Sequence, residues 1–319
     1  MKISIAMATY NGARYLQEQL DSFLLQTVLP KELVVCDDGS TDSTLDILKT
    51  FRKKAPFDVY ICRNKTNLGF TKNFEKSALK CSGDLIFFSD QDDVWFPEKV
   101  EIIEKAVNSN PDKLLIIHDG KLVDDKLTWY GATKLGQVVS GFGSVDFLAM
   151  GGLTAIRKEF IPLALPIPAG VIGHDLWLHN VSRLLDARLV INQSLQLIRR
   201  HSSNTSDWIA SSVTKIGKSD VFFSQLKTPI AKNYDDRLII NEASRYLLEK
   251  LLYQDNIFFR DAIKKNLIYL ASEYEALNRR NTVSSAGAVR RKILSLELLI
   301  RGEYRYFNGL KSFFRDIFR

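Results

Sequence analysis

Residues 2–8, Lys-Ile-Ser-Ile-Ala-Met-Ala, are mostly apolar and predict a buried strand. A polar turn and a helical pattern over residues 13–26 follow, with Leu16, Leu20, Phe23 and Leu24 on one face. A second apolar run, 33–36, ends in Asp37-Asp38-Gly39. Ser40, Thr41 and Asp42 then supply N-cap chemistry for a helix carrying Leu45, Leu48 and Phe51. Residues 59–62 predict a third strand and residues 70–79 a third helix. Residues 85–89 predict a very apolar fourth strand, after which Pro97 opens a helix in its favoured first-turn position. This alternation predicts an α/β fold, a mostly parallel sheet with helices on both faces.

Beyond residue 113 the order is mixed, with strands over 114–118, 152–157 and 189–199, a loop or hairpin over 121–143, and a helix over 175–185. From about residue 211 the pattern is helical only, with candidates at 237–250, 256–277 and 288–319. The expected division is an α/β domain over residues 1–210 and a helical region over 211–319.

Composition narrows the class. Of 319 residues, 45% are hydrophobic and 25% charged, the balance of an ordinary globular protein rather than a disordered or collagenous one. No apolar run approaches the ~18 residues of a membrane-spanning helix. The first ten residues read as a strand rather than a signal peptide. Cys36, Cys62 and Cys81 show no CxxC spacing, which disfavours structural zinc or a disulfide framework and points to the cytosol. The net charge of +7 is local: residues 279–319 hold ten basic and three acidic groups, whereas residues 1–278 are balanced at 34 of each. A nucleic-acid partner is therefore not expected, and no binding motif for one is visible.

In a parallel α/β sheet, ligands bind beyond the carboxyl ends of the strands. The polar ends Ala8-Thr9-Tyr10-Asn11-Gly12, Asp37-Asp38-Gly39-Ser40, Asn67-Leu68-Gly69 and Asp90-Gln91-Asp92-Asp93 would open onto one crevice. Neither GxGxxG nor GxxxxGK[ST] follows the first strand, which argues against a dinucleotide-binding domain and a P-loop NTPase. Asp90 and Asp92, alternate residues at a strand end, can converge on Mg²⁺ or Mn²⁺ bridging to a diphosphate. The competing reading is a polar, turn-forming strand end.

These blocks, with Ser89-Asp90-Gln91-Asp92-Asp93-Val94-Trp95, resemble the inverting glycosyltransferases of family 2 over roughly residues 2–206. The likeness is greatest to the bacterial branch with rhamnosyltransferases of cell-surface polysaccharide (O-antigen or capsule) synthesis. The resemblance implies a GT-A fold, a nucleotide-diphosphate sugar donor (dTDP-rhamnose or a UDP-sugar), a carbohydrate acceptor and a divalent metal. It places Ala8, Thr9, Tyr10, Asn11, Asp37, Asp38, Gly69, Asn73, Asp90 and Gln91 around the nucleotide sugar, and Asp90 and Asp92 at the metal.

Gly173-His174-Asp175-Leu176-Trp177 resembles the family's acidic block, which makes Asp175 the general base. An inverting displacement needs such a group to take the acceptor hydroxyl's proton; the alternative is a first-turn acid stabilised by its helix dipole. Arg199-Arg200-His201-Ser202-Ser203-Asn204-Thr205-Ser206 resembles the branch's Arg-x-His-x-x-Asn-x-Ser segment. Processive relatives carry Gln-x-x-Arg-Trp there, and its absence argues against a processive synthase. His201 is then a candidate metal or diphosphate ligand, and Arg199 or Arg200 a diphosphate clamp; an ordinary polar His is the other reading. His118 and the cysteines read as structural. His179, one turn after Asp175, either touches it or is structural, and Trp95 and Trp177 either stack on a sugar or pack.

From residue 289 on, Ile293, Leu296, Leu299, Ile300, Phe307, Leu310, Phe314 and Ile317 follow helical spacing among Arg and Lys. Such a tail suits the surface of an anionic membrane bearing a lipid-linked acceptor, which would put the protein peripherally on the inner face of the cell membrane. Alternatively it packs on the rest of the chain with its charges solvated. Two rival functions remain. A nucleotidyltransferase would release pyrophosphate and would want a Gly-rich basic loop after the first strand. A catalytically silent sugar-nucleotide-binding protein would be expected to have lost an acidic motif, yet Asp90, Asp92 and Asp175 are all present.

Overall fold

The computed structural model describes the chain apart from residues 203, 205–207, 228–231, 255–256 and 319. Two compact units form: residues 1–167 with 172–225, and residues 168–171 with 226–319. The first holds strands β1 (Ile3–Thr9), β2 (Glu32–Asp37), β3 (Asp58–Arg63), β4 (Leu85–Ser89), β5 (Val94–Trp95), β6 (Leu115–Val123), β7 (Trp129–Thr133), β8 (Thr154–Arg157) and β9 (Arg188–Arg199). They make one sheet in the order β3-β2-β1-β4-β8-β6-β9-β5, with β7 on β6. Helices α1 (Ala13–Leu24), α2 (Thr44–Arg52), α3 (Phe70–Lys80), α4 (Lys99–Ser109), α5 (Lys134–Phe142), α6 (Ile161–Ala164), α7 (His174–Leu184) and α8 (Lys218–Lys227) come in chain order between and after these strands.

The strands β3, β2, β1 and β4 pair in parallel, as the alternating pattern predicts. Every residue of β2 and β4 is buried, the signature of strands covered on both faces. Ile5, Leu33, Leu16, Phe23, Phe87 and Ile103 meet in the resulting core. The other half is mixed: β8 runs antiparallel to β4 and β6, and β9 returns parallel to β6.

Several expectations change. β5, two residues long and paired with β9, is too short to show periodicity. Pro97 stands outside α4, whose N-cap is Glu98. Of the loop or hairpin expected over 121–143, the hairpin is present, β7 pairing antiparallel with the end of β6, but it is followed by α5, a helix interrupted by Gly136 and Gly141 in sequence but capped by Thr133, whose Oγ1 accepts from the Gly136 N–H.

The second unit is built from α9 (Lys232–Tyr253), α10 (Arg260–Ser285), α11 (Ala288–Ile300) and α12 (Leu310–Phe318). The single helix expected over 288–319 is broken, because Gly302 and Gly309 take φ of +67° and +57°, a left-handed region that glycine enters freely. Its apolar residues accordingly divide. Val283, Leu298, Tyr304 and Phe313 form a core with Leu299, Phe307 and Ile317 against it, while Val289, Ile293, Leu296 and Ile300 stay exposed along α11. One basic residue of this region is itself core. Arg280, 1% exposed, makes two bonds to Asp316, 2.9 and 3.0 Å, and stands 4.2 Å from the Phe307 ring.

Removing one partner of a buried pair strands the other's charge, so Asp316→Ala is expected to cost this unit about 3–5 kcal/mol. The double change Arg280→Met/Asp316→Leu should recover most of that loss in urea unfolding; a wild-type midpoint for Asp316→Ala would contradict the assignment.

Candidate active site

The ends of β1 and β2 are tied by Asp37, fully buried and in register with Thr9. Its carboxylate accepts from Thr9 Oγ1 (3.0 Å), Gly39 N (3.2 Å), Ser40 N (2.9 Å) and Ser40 Oγ. That fills the roughly four acceptor positions of a carboxylate, so Asp37 shapes the turn and has nothing left for a ligand. Gly39, at φ +87°, permits that turn. Asp38 is different. Its Oδ1 accepts from Asn64 Nδ2 and Leu68 N, both 2.8 Å, and its Oδ2 from Gly69 N at 2.9 Å, which leaves one acceptor position.

Asp38 lines a cavity of about 510 Å³ with Tyr10, Gly39, Arg63, Asn64, Lys65, Thr66 and Asn67. Expected site residues Asn73 and Gln91 act from behind it. Asn73 is buried, donating to Cys36 O at 2.8 Å and accepting from Asn64 Nδ2 at 2.9 Å. The Gln91 amide pairs with the Tyr10 backbone, accepting from its N–H (2.9 Å) and donating to its C=O (3.1 Å). Asn11 Oδ1 accepts from Thr41 N at 2.8 Å, and Ala8 is half-buried in β1. Arg63, Asn64, Lys65 and Thr66 were not singled out from sequence; the signal available was their polar run at the carboxyl end of the third strand.

The acidic loop after β4 is held from beneath. Asp93, buried, accepts from Gln196 Nε2 (2.7 Å) and Arg199 N (3.1 Å). Lys99, also fully buried, donates to Gly152 O (3.0 Å) and Gln196 Oε1 (2.5 Å) and stands 3.6 Å from the Trp95 ring. Burial pushes the Asp90 carboxyl up to about 7, with the Asp92 and Asp175 charges adding and Lys99 opposing. Burial and the neighbouring Asp92 and Asp90 raise Asp93 well above the usual range, and burial lowers Lys99 well below its own. Gly152 lies so close to this group that a Cβ there would come within 2.7 Å of Asp90 Oδ2.

Asp92 faces the other way. Its Oδ2 lies 2.8 Å from His201 Nε2 and 3.1 Å from Asn204 Nδ2, and the His201 ring packs 4.7 Å from Tyr15. Ser203, Thr205 and Ser206 of the same segment lie outside the described residues. Among the described residues no three His, Cys, Asp or Glu side chains form a cation cage, so the expected set Asp90, Asp92 and His201 is not drawn together. The physical reason is repulsion and partnering: Asp90 turns to Gly152 while Asp92 turns to His201. The Asp92–His201 pair nonetheless fits a divalent ion that a diphosphate would complete, since such ions often take one or two protein ligands, and the imidazole suits Mn²⁺ better than Mg²⁺.

Arg199 is corrected as a clamp. It is 2% exposed, and each of its guanidinium nitrogens already donates, to Asp92 O (2.9 Å), Asp125 O (2.6 Å) and Glu18 Oε2 (2.5 Å), which ties the acidic loop to its neighbours. Arg200 N donates to Val123 O at 2.8 Å, and its charge bears on Lys134. Asp175, in the first turn of α7, accepts from Leu176 N at 2.9 Å and lies near enough to Asp90 to raise its pKa. His179 does not touch Asp175 but bonds Thr154 Oγ1 at 2.9 Å. Trp177 donates to Ala164 O at 2.7 Å from a buried site, and Trp95 is buried against Lys99, so both pack rather than stack on a sugar.

In divalent-free buffer, Asp90→Asn should stabilise the fold. The carboxyl titrates near 7 when folded and about 4 when unfolded, so it costs stability as pH rises through that window and a constant amount above it. Removing it should gain on the order of 2–4 kcal/mol at pH 8 and almost nothing at pH 4 by urea unfolding. Equal effects at both pH values would contradict the electrostatic account.

Comparisons with known proteins bear on the family and the fold. The sequence profile described as Glycosyl transferase family 2 matches residues 4–134. The dTDP-rhamnosyl transferase RfbG of Shigella flexneri is 36% identical over 271 residues, covering 73% of this chain and 91% of that protein. An uncharacterized glycosyltransferase of Nostoc, alr2836, is 34% identical over 52% of this chain and 54% of its own length. The putative glycosyltransferase EpsE of Bacillus subtilis is 33% identical over 43% and 49%. The chain thus spans about half the length of these last two relatives. Among solved structures, S. aureus TarS 1–349 in complex with UDP-GlcNAc superposes with a TM-score of 0.56 at 17% identity, over 99% of this chain and 92% of that one, a likeness of GT-A fold. With more than a third of positions identical through nine-tenths of RfbG, the chain belongs to glycosyltransferase family 2.

Proposed function

We propose that the protein is a metal-dependent inverting glycosyltransferase that moves one sugar from a nucleotide-diphosphate donor to a hydroxyl of a carbohydrate acceptor. The observation that carries this reading is the approach of Asp175, on α7, to the acidic loop after β4, close enough for its charge to raise the Asp90 pKa. A base close to the acidic loop that would meet the diphosphate is what a single displacement requires. The acceptor oxygen bonds to the anomeric carbon as its proton passes to Asp175, and the bond from that carbon to the diphosphate oxygen breaks. The products are the glycoside, with inverted configuration, and the nucleoside diphosphate.

Asp92 and His201 would hold the divalent ion, Mn²⁺ or Mg²⁺, with Asp90 beside them. Bound there, the ion supplies charge neutralisation for the leaving diphosphate. Arg200 would assist the same charge, and Arg199 keeps the loop that carries Asp92 in place. The cavity beside Tyr10 suits the nucleoside, where the spare Asp38 acceptor position can take the imide N–H of a uracil or thymine base. The name of RfbG favours dTDP-rhamnose as donor.

A lipid-linked acceptor, as in O-antigen or capsule synthesis, would place the enzyme at the cytoplasmic face of the cell membrane. No described helix is long and apolar enough to cross a membrane. What supports contact with one is α11, where Val289, Ile293, Leu296 and Ile300 stand 77%, 62%, 47% and 86% exposed at successive turns. Arg290, Lys292 and Arg301 are exposed beside them. An apolar stripe edged with cations fits an anionic bilayer.

Asp175→Asn is expected to lower transfer about 10²–10⁴-fold while leaving donor binding near normal, and removal of divalent ions by a chelator should abolish transfer reversibly. Near-normal transfer by the variant, or activity indifferent to chelation, would contradict the mechanism. Sedimentation with vesicles should show binding to anionic but not zwitterionic lipid. Ile293→Ser/Ile300→Ser should weaken it at any salt, whereas Arg290→Gln/Lys292→Gln should weaken it mainly at low salt; unchanged binding by both would refute the membrane face.

A further inference from the structure

Lys134, the first residue of α5, has no part in the mechanism above, yet its position is costly. The residue is 3% exposed, its Nζ donates to Ser211 Oγ at 2.7 Å, and the ammonium stands 4.5 Å from the Trp208 ring. One hydroxyl and one ring face are poor compensation for taking an ammonium with three donors out of water. Among the described residues no carboxylate comes within ion-pair distance of it. The charges that do bear on it are Arg200, which repels it, and Asp175.

Holding the chain after β9 does not explain this lysine. Gln137, one turn further along α5, already does so: its Nε2 donates to Ser212 O at 2.9 Å and to Thr214 O, and its Oε1 accepts from Ile216 N at 2.9 Å. A methionine would fill the Lys134 site at lower cost. A buried cation with no carboxylate at ion-pair distance among the described residues, and with Arg200 adding to its cost, describes half of an ion pair.

We propose that Lys134 is an anion-binding residue of the active site, placed to take a phosphate oxygen of a bound ligand beside Asp175. The phosphate belongs either to the donor's diphosphate or to a phosphate-bearing acceptor. The identity of the ligand rests on the glycosyl-transfer reading; the anion site itself does not. Burial, with Arg200 adding, brings the amine down to about 7, so the arriving anion should draw a proton onto it near neutral pH.

The test is calorimetric titration of the full chain at pH 7 in buffers of different ionisation enthalpy, with inorganic pyrophosphate and with UDP as probes. Native protein should take up more protons on binding than Lys134→Met, and the variant should bind at least about tenfold more weakly. Lys134→Arg should restore affinity without the extra proton. Weakened UDP binding assigns the phosphate to the donor. Unchanged UDP binding, with pyrophosphate binding lost in UDP-saturated protein, assigns it to the acceptor. Equal affinities for both probes in native protein and Lys134→Met overturn the proposal. Should Lys134→Met fail to fold, equal proton uptake by native protein and Lys134→Arg overturns it instead. Failure of the transferase reading would appear separately, as absence of sugar transfer.

Discussion

Carboxylates buried side by side must each be matched by a donor or a cation, and this requirement organises the first unit. Asp90, Asp92 and Asp93 follow one of the most apolar strands in the chain, and water is largely excluded behind them. Lys99, driven under the loop against Trp95, offsets the charge from below. Arg199 closes it from the side, spending every guanidinium nitrogen on Asp92 O, Asp125 O and Glu18. Two glycines make the arrangement possible: Gly152 admits Asp90, and Gly151 admits His174, whose Nε2 would lie 2.3 Å from a Cβ there. The turn carrying them brings the acidic loop and the start of α7 together.

The same requirement sorts the acidic residues by remaining capacity. Asp37 and Asp93 are saturated or sunk, and their work is to fix backbone. Asp38 keeps an acceptor position facing a cavity, Asp92 shares its Oδ2 with His201 and Asn204, and the Asp175 carboxylate is bonded, among the described residues, only within its own helix. On the proposed mechanism those three are the groups that meet ligand, and the others keep them aimed. Residues 1–210 carry 24 basic and 25 acidic groups, no surplus to attract an anion, which is why the proposed mechanism gives the donor a cation.

The parallel half of the fold was legible because each strand is an apolar run and each helix shows a clear face. β1, β2 and β4 needed nothing from distant residues to be recognised. β5 and α5 were not, one being two residues long and the other glycine-interrupted and fixed by Thr133 and by bonds to residues 212–216 far along the chain. The motifs located the site but not the duties within it. Adjacent residues with the same chemistry, Asp37 beside Asp38 and Arg199 beside Arg200, differ only in which partners the fold brings to them. The basic tail was read as one amphipathic helix because spacing does not reveal that Gly302 and Gly309 turn left-handed, or that Arg280 finds Asp316.

Stereochemistry tests the central claim most directly, since a base placed across from the leaving diphosphate permits attack from one face only. Proton NMR of the product formed from an active nucleotide-sugar donor, recorded before anomers equilibrate, should show inversion at the anomeric carbon together with release of the nucleoside diphosphate. Retention of configuration, or release of pyrophosphate, would contradict the account.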